Sequence, residues 1–162
     1  MTRALVMSDS HGAAAQLEQM VKAMWRRYPG GFQAYIHCGD GARDFECLRG
    51  LIAGRDPRAM LVLVRGNNDW ASDLNDDAVV TLGGMRVFVC HGHRYRVKSG
   101  LLSLEYAAAE RRCPVALYGH THVADAEAAG GVSMFNPGAV MNGRIGVLEI
   151  ESGVAGFQSF VL

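Results

Sequence analysis

Residues 4 to 11 read Ala4-Leu5-Val6-Met7-Ser8-Asp9-Ser10-His11, four apolar residues and then an abrupt change to side chains with lone pairs to offer. The same grammar recurs four times. Ala34 to Cys38 runs into Gly39-Asp40, Met60 to Val64 into Gly66-Asn67, Val87 to Cys90 into His91, and Val115 to Tyr118 into Gly119-His120-Thr121-His122. Near-continuous apolar runs rich in β-formers fit strands buried on both faces, as in a sheet covered by other layers. In open α/β sheets ligands collect outside the carboxyl ends of the strands. If the five strands lie together, Asp9, His11, Asp40, Asn67, His91, His120 and His122 meet in one crevice.

Helical spacing falls between the runs. Leu17, Met20, Val21, Met24 and Tyr28 form one stripe over Ala14 to Tyr28, and Pro29-Gly30-Gly31 ends it. A shorter helix is expected over Arg43 to Ala53, with Phe45, Leu48 and Ile52 inward, and a third over Ser99 to Arg111. After His122, short alternating segments separated by Gly130-Gly131, Asn142-Gly143 and Ser152-Gly153 read as β-hairpins. The chain thus moves from α/β to mostly β. No repeat or linker divides it, and 162 residues are about one domain's worth on a prior of roughly 150 per domain, so residues 1–162 are read as a single domain.

Composition narrows the function. Sixteen Lys and Arg balance sixteen Asp and Glu, leaving no broad basic field for counterion release from a long polyanion, so extended nucleic acid is disfavoured as a partner. No apolar stretch approaches the ~20 residues of a spanning helix, and the N-terminus is too short and polar for a secretory signal. The expected compartment is the cytoplasm. Cys38, Cys47, Cys90 and Cys113 show no zinc-ribbon spacing and are expected as unpaired thiols.

Seven donors are too many for one ion. Two ions solve the count, because three or four protein ligands each, with one shared carboxylate, leave positions open for water and substrate. Asp40 is the natural bridge. Glycines flank the donors (Gly12, Gly39, Gly41, Gly66, Gly92, Gly119), which suits tight turns and close backbone approach to a ligand.

Asp9-Ser10-His11, Gly39-Asp40, Gly66-Asn67-Asn68-Asp69, His91-Gly92-His93 and Gly119-His120-Thr121-His122 together resemble the ordered motif set of the calcineurin-like metallophosphoesterase superfamily, in particular its small single-domain prokaryotic phosphodiesterases. The resemblance implies an α/β four-layer sandwich, two mixed β-sheets flanked by helices, with a dinuclear metal centre at one edge. It puts Asp9, His11, Asp40 and His122 on one ion, and Asp40, Asn67, His91 and His120 on the other. Such donors suit two divalent ions, Mn²⁺ by preference, with Zn²⁺, Fe²⁺ or Ni²⁺ as alternatives. The implied reaction is in-line attack of a metal-bridging hydroxide on a small phosphodiester. Many relatives carry a histidine after the ligand asparagine. Here Asn68 stands in its place, and an amide donates a hydrogen bond but no catalytic proton. His93 is the nearest titratable candidate to assist the leaving group, to contact phosphate or to orient His91. Competing readings are a phosphomonoesterase or nuclease with the same metals, and a protein-interaction scaffold, as a retromer subunit of similar fold serves. A homo-oligomer fits any of these.

The remaining polar residues read as structural. His37 lies inside a strand run, Asp69 hydrogen-bonds its own loop, and Asp73, Asp76 and Asp77 form a solvated acidic loop. Trp70 is read as packing against its loop, the alternative being stacking on a nucleobase or other aromatic leaving group. Arg94, Arg96 and Lys98 make a small basic cluster, Asn136-Pro137-Gly138 is a turn, and Cys38 and Cys90 act as buried small hydrophobes.

Overall fold

In the computed structural model, which describes residues 1–70 and 73–162, the first apolar run forms strand β1 (Thr2–Met7). Both of its faces are buried. Ala4 and Val6 enter one apolar cluster, Leu5 and Met7 another, because a strand sends successive side chains to opposite sides. Among the described residues the chain continues through α1 (Ala14–Arg27), β2 (Ala34–His37), α2 (Ala42–Arg55), β3 (Met60–Leu63), β4 (Asp77–Leu82) and β5 (Met85–Cys90). It then forms α3 (Leu102–Glu110), β6 (Val115–Leu117), β7 (Asp125–Ala129), β8 (Val132–Asn136), β9 (Arg144–Glu151) and β10 (Val154–Val161).

The strands make two five-stranded mixed sheets, ordered β10-β9-β1-β2-β3 and β4-β5-β6-β8-β7. Parallel pairing aligns Val6 with Ile36 and Ile36 with Val62 in the first sheet, and Val89 with Leu117 in the second. Three apolar clusters define the layers. Val6, Ile36 and Val62 meet Val87, Val89 and Leu117 between the sheets. Leu17, Val21 and Met24 of α1 and Phe45, Leu48 and Ile52 of α2 cover the outer face of the first sheet. Leu104 and Ala108 of α3 cover that of the second, on Phe88, Ala116 and Met134. This is the expected α/β sandwich. Cys38 is buried between the sheets and Cys90 against the α3 layer, and all four cysteines are free. No described helix is long and apolar enough to cross a membrane.

Two expectations are corrected. Gly130-Gly131 and Ser152-Gly153 close the β7–β8 and β9–β10 hairpins, but Asn142-Gly143 does not close one, because β8 and β9 belong to different sheets. The chain crosses between them through a short 3₁₀ turn (Val140–Asn142). There the Val140 and Met141 N–H groups donate to the carbonyls of Ser8 (2.9 Å) and Asp9 (3.2 Å). The acidic loop also ends sooner than expected. Asp77 opens the edge strand β4 and accepts from the Tyr95 hydroxyl at 2.7 Å, while Asp76 pairs with Arg65 and Arg94.

Candidate metal centre

The loops leaving β1, β2, β3, β5 and β6 meet across the edges of both sheets. Backbone bonds tie them pairwise: Asp9 N–H to Gly39 O, His11 N–H to Asp40 O and Gly119 N–H to His91 O, each at 3.0 Å. Five of the eight described non-glycine residues with positive φ are Asp9, His11, Asp40, His120 and His122. A left-handed L-residue costs about 1–2 kcal/mol and persists only where its surroundings over-determine it. The sequence therefore spends its backbone strain on aiming these five side chains.

Asp9 is held by one oxygen and bare on the other. Its Oδ2 accepts from Ser8 Oγ at 2.6 Å and from the His120 N–H at 3.0 Å. Its Oδ1 is buried and, among the described residues, has no hydrogen-bond partner, although the Nε2 atoms of His122, His11 and His91 approach it to 3.1, 3.5 and 3.9 Å. A buried carboxylate oxygen with nothing bonded to it is costly unless a cation completes it. Nε2 of His11 and Nε2 of His122 are 3.3 Å apart, close enough to serve one ion. Asp9, His11 and His122 form one compact donor set, and Asp9, Asp40 and His91 form a second.

His91 is fixed in one ring orientation. Its Nδ1 is 2.7 Å from the Cys38 carbonyl, an acceptor only, so Nδ1 carries hydrogen and Nε2 faces the centre. There it meets Asn67 Oδ1 at 3.0 Å and Asp40 Oδ2 at 3.3 Å. Burial disfavours a proton on His91, but the Asp40 hydrogen bond and the charges of Asp9 and Asp40 outweigh it and raise the imidazole above its ordinary value. Burial likewise opposes ionisation of Asp40, yet His91 and the Asn68 hydrogen bonds hold it well below the usual carboxylate range. Oxygens converging on one imidazole nitrogen make a proton site that a divalent cation can take over.

The other predicted residues divide. Asp40 Oδ2 also comes within 3.7 Å of His11 Nε2, so it reaches a member of each set. The His120 ring lies 5.0 Å from that of His91, centroid to centroid, outside both compact sets. Burial, then the neighbouring His91, bring its pKa down to about 4. Asn68 turns toward Asp40, to whose two oxygens its N–H (2.7 Å) and its amide (2.8 Å) donate. The His93 ring sits 5.4 Å from that of His91, and its buried Nδ1 has no partner among the described residues. With Arg65, Arg94 and Trp70, His93 lines a cleft of about 440 Å³ beside Asn67.

Several supporting residues carry no clear sequence signal. Ser8 and Ser10 differ in nothing from solvated serines until folding buries them. Ser10 Oγ donates to Asp44 Oδ2 at 2.6 Å, which also accepts the Gly12 N–H at 2.9 Å, while His37 Nε2 is 3.3 Å from Ser10 Oγ. That chain fixes the loop carrying Asp9 and His11, so His37 is structural, as expected. Asp69 bonds its own loop at Gly66 N–H (2.7 Å), and it also accepts from Asp40, Gly41 and Ala42 N–H at 2.8 to 3.0 Å. It thereby caps α2 from another segment. Asn136 Nδ2 donates to Gly119 O (2.9 Å) and Thr121 Oγ1 (3.0 Å), pinning the loop between His120 and His122. Trp70 departs from expectation. Rather than packing on its loop, it is 81% exposed.

Two sheets back to back gather carboxylates, imidazoles and amides at their shared edge, a donor set suited to divalent metal ions. Residues 2–153 match the calcineurin-like phosphoesterase superfamily domain, and the chain belongs to that superfamily. It is 34% identical over 141 residues to the probable metallophosphoesterase YsnB of Bacillus subtilis, covering 87% of this chain and 76% of that protein. Among solved structures, an archaeal phosphodiesterase superposes with a TM-score of 0.75 at 22% identity, over 99% of this chain and 100% of its own. Vps29 of Entamoeba histolytica complexed with zinc gives 0.72 at 20% identity, over 98% of both chains. At such identities these two likenesses concern the fold alone.

Proposed function

We propose that the chain is a dinuclear-metal phosphodiesterase of the cytoplasm that hydrolyses a small phosphodiester. The observation that carries the reading is Asp9 Oδ1, buried and unpartnered among the described residues, beside Asp40 Oδ2, which lies 3.7 Å from His11 Nε2 and 3.3 Å from His91 Nε2. Asp9, His11, Asp40 and His122 would hold one ion and Asp40, Asn67, His91 and His120 the other, all from one chain, with Asp40 between them. The donor chemistry favours Mn²⁺, with Zn²⁺, Fe²⁺ or Ni²⁺ as alternatives. Bound divalent ions supply Lewis acidity toward a phosphoryl oxygen and activate water at neutral pH.

The chain's own residues do the rest. Ser8 and the His120 N–H saturate one oxygen of Asp9, so its charge is directed through the other. Asn68 clamps both oxygens of Asp40 and acts as a positioning residue, with no proton to give. His93 lines the cleft beside Asn67 and is the titratable side chain proposed to meet a phosphoryl oxygen or to carry a proton to the departing group.

The test uses protein reconstituted with Mn²⁺ and bis(p-nitrophenyl) phosphate. Two ions per chain and steady hydrolysis are expected. D40N is expected to lose turnover and at least one ion while keeping its circular dichroism spectrum. An occupied site with no turnover, or a D40N protein that still hydrolyses the diester, would overturn the reading. Faster cleavage of p-nitrophenyl phosphate than of the diester would move the assignment to a monoesterase.

A further inference from the structure

Trp70 leaves 81% of its surface in water although it directly follows Asp69, whose carboxylate is fixed by four backbone N–H groups at 2.7 to 3.0 Å. The indole thus leaves the chain at a well-defined point beside the centre and buries little of its large apolar surface, which a bound partner could cover. It walls a cleft of about 800 Å³, within the range of small-molecule sites. Its lining includes His11, Asp40 and Asn68 from the candidate metal centre and the apolar Leu63, Leu74 and Trp70, with the carboxylates of Asp44, Glu46 and Asp69 also on its wall. A single ligand can therefore put a phosphoryl group at the centre and a flat substituent against the indole. Arg43, exposed in the first turn of α2, lines the same cleft and can meet an acceptor on the edge of such a ring.

We propose that Trp70 and this cleft are the subsite for a nucleobase, so that the diester handled here carries a nucleoside on one side rather than an alkyl or lipid group. The inference rests on the phosphodiesterase reading above. The occupant follows from the surface chemistry: one exposed indole with apolar neighbours suits one planar ring. A strand of nucleic acid needs successive stacking platforms along a basic groove, and sixteen cationic residues offset by sixteen anionic ones supply no broad basic field.

Titration calorimetry on Mn²⁺-loaded protein compares adenosine 5′-monophosphate with ribose 5-phosphate, which differ by the base, so the contribution of phosphate at the centre cancels. The nucleotide is expected to bind at least about fivefold more tightly, the low end of what stacking one base on an aromatic ring confers. W70A is expected to lose that advantage without weakening ribose 5-phosphate, and W70F to keep most of it. Equal binding of the two probes by the unmodified protein, or an advantage that survives W70A, overturns the proposal. So does tight binding of a single-stranded oligonucleotide with none of the mononucleotide. Hydrolysis of bis(p-nitrophenyl) phosphate by the same preparation separates the two ideas. Turnover without base discrimination removes the subsite alone, and base discrimination without turnover removes the catalytic reading alone.

Discussion

Ser8 Oγ donates to Asp9 Oδ2 across 2.6 Å, and both residues are buried. With the His120 N–H on the same oxygen at 3.0 Å, the lone pairs of Oδ1 are what Asp9 has left for a cation. S8A removes the hydroxyl and little else. Outer partners that orient a ligand commonly contribute about 10–100-fold to metal affinity, so the variant is expected to bind Mn²⁺ that much more weakly in competition with a chelating dye, with its fold retained. Unchanged affinity would show that the His120 N–H and the Asp9 backbone aim the carboxylate without Ser8.

Gly66 and Asp40 come closer than any side chain allows. A methyl group on Gly66 would overlap the backbone nitrogen and carboxylate of Asp40, and a backbone atom cannot swing aside as the end of a long side chain can. G66A is therefore expected to displace Asp40, costing about 1–3 kcal/mol of stability as overpacking does and at least one bound ion per chain. Urea unfolding together with metal analysis checks both, and a variant of normal stability and metal content would mean that the two loops can part without consequence.

How much of this was legible in the sequence follows from where each signal resides. The donors could be read because each stands at the end of an apolar run, and burial on both faces made those runs conspicuous. Strand β4 carries little signal because an edge strand is half exposed: Val79 and Thr81 alternate with less exposed partners, and Asp73 and Asp76 ahead of it, with Asp77 as its first residue, read as loop. Asn142-Gly143 has hairpin chemistry, but β8 pairs with β6 and β7 while β9 pairs with β1 and β10, a long-range fact that no dipeptide carries. Ser8, Ser10 and Asp44 gain their meaning only from the distances that folding sets.

Asp69 accepts four backbone N–H groups, two on each oxygen. Burial would raise its pKa, but the bonds from Ala42, Gly66, Asp40 and Gly41 outweigh that and hold it below the usual carboxylate range. The folded state thus favours the ionised form. Its contribution is complete above the unfolded value near ~3.9 and disappears as pH falls through the lower folded value. D69N keeps the shape but turns an NH₂ toward two N–H donors. Breaking hydrogen bonds to a charged group, it is expected to cost about 2–3 kcal/mol at pH 7 and to flatten the acid limb of stability against pH. Chemical unfolding from pH 7 to pH 2 reads both, and a D69N curve parallel to the parent curve would deny the carboxylate this role.

His37 makes the opposite kind of titration. It is buried, and its Nδ1 accepts the Gly39 N–H at 3.1 Å, so the neutral ring carries hydrogen on Nε2, facing Ser10 Oγ at 3.3 Å. Burial, partly countered by the charges of Asp69, Asp9 and Asp44, brings its pKa down to about 4 from the ordinary 6.5. The unfolded chain therefore binds this proton where the folded chain refuses it. Stability is full above pH 6.5 and declines as pH drops toward 4, by about 3 kcal/mol from this residue. H37N retains an acceptor near Nδ1 and removes the titration. Urea unfolding of metal-depleted protein at pH 7, 6, 5 and 4.5 is expected to show the parent losing stability that H37N keeps. Superimposable slopes would mean that the buried imidazole takes its proton in the folded state after all, and that the loop carrying Asp9 and His11 tolerates the charge beneath it.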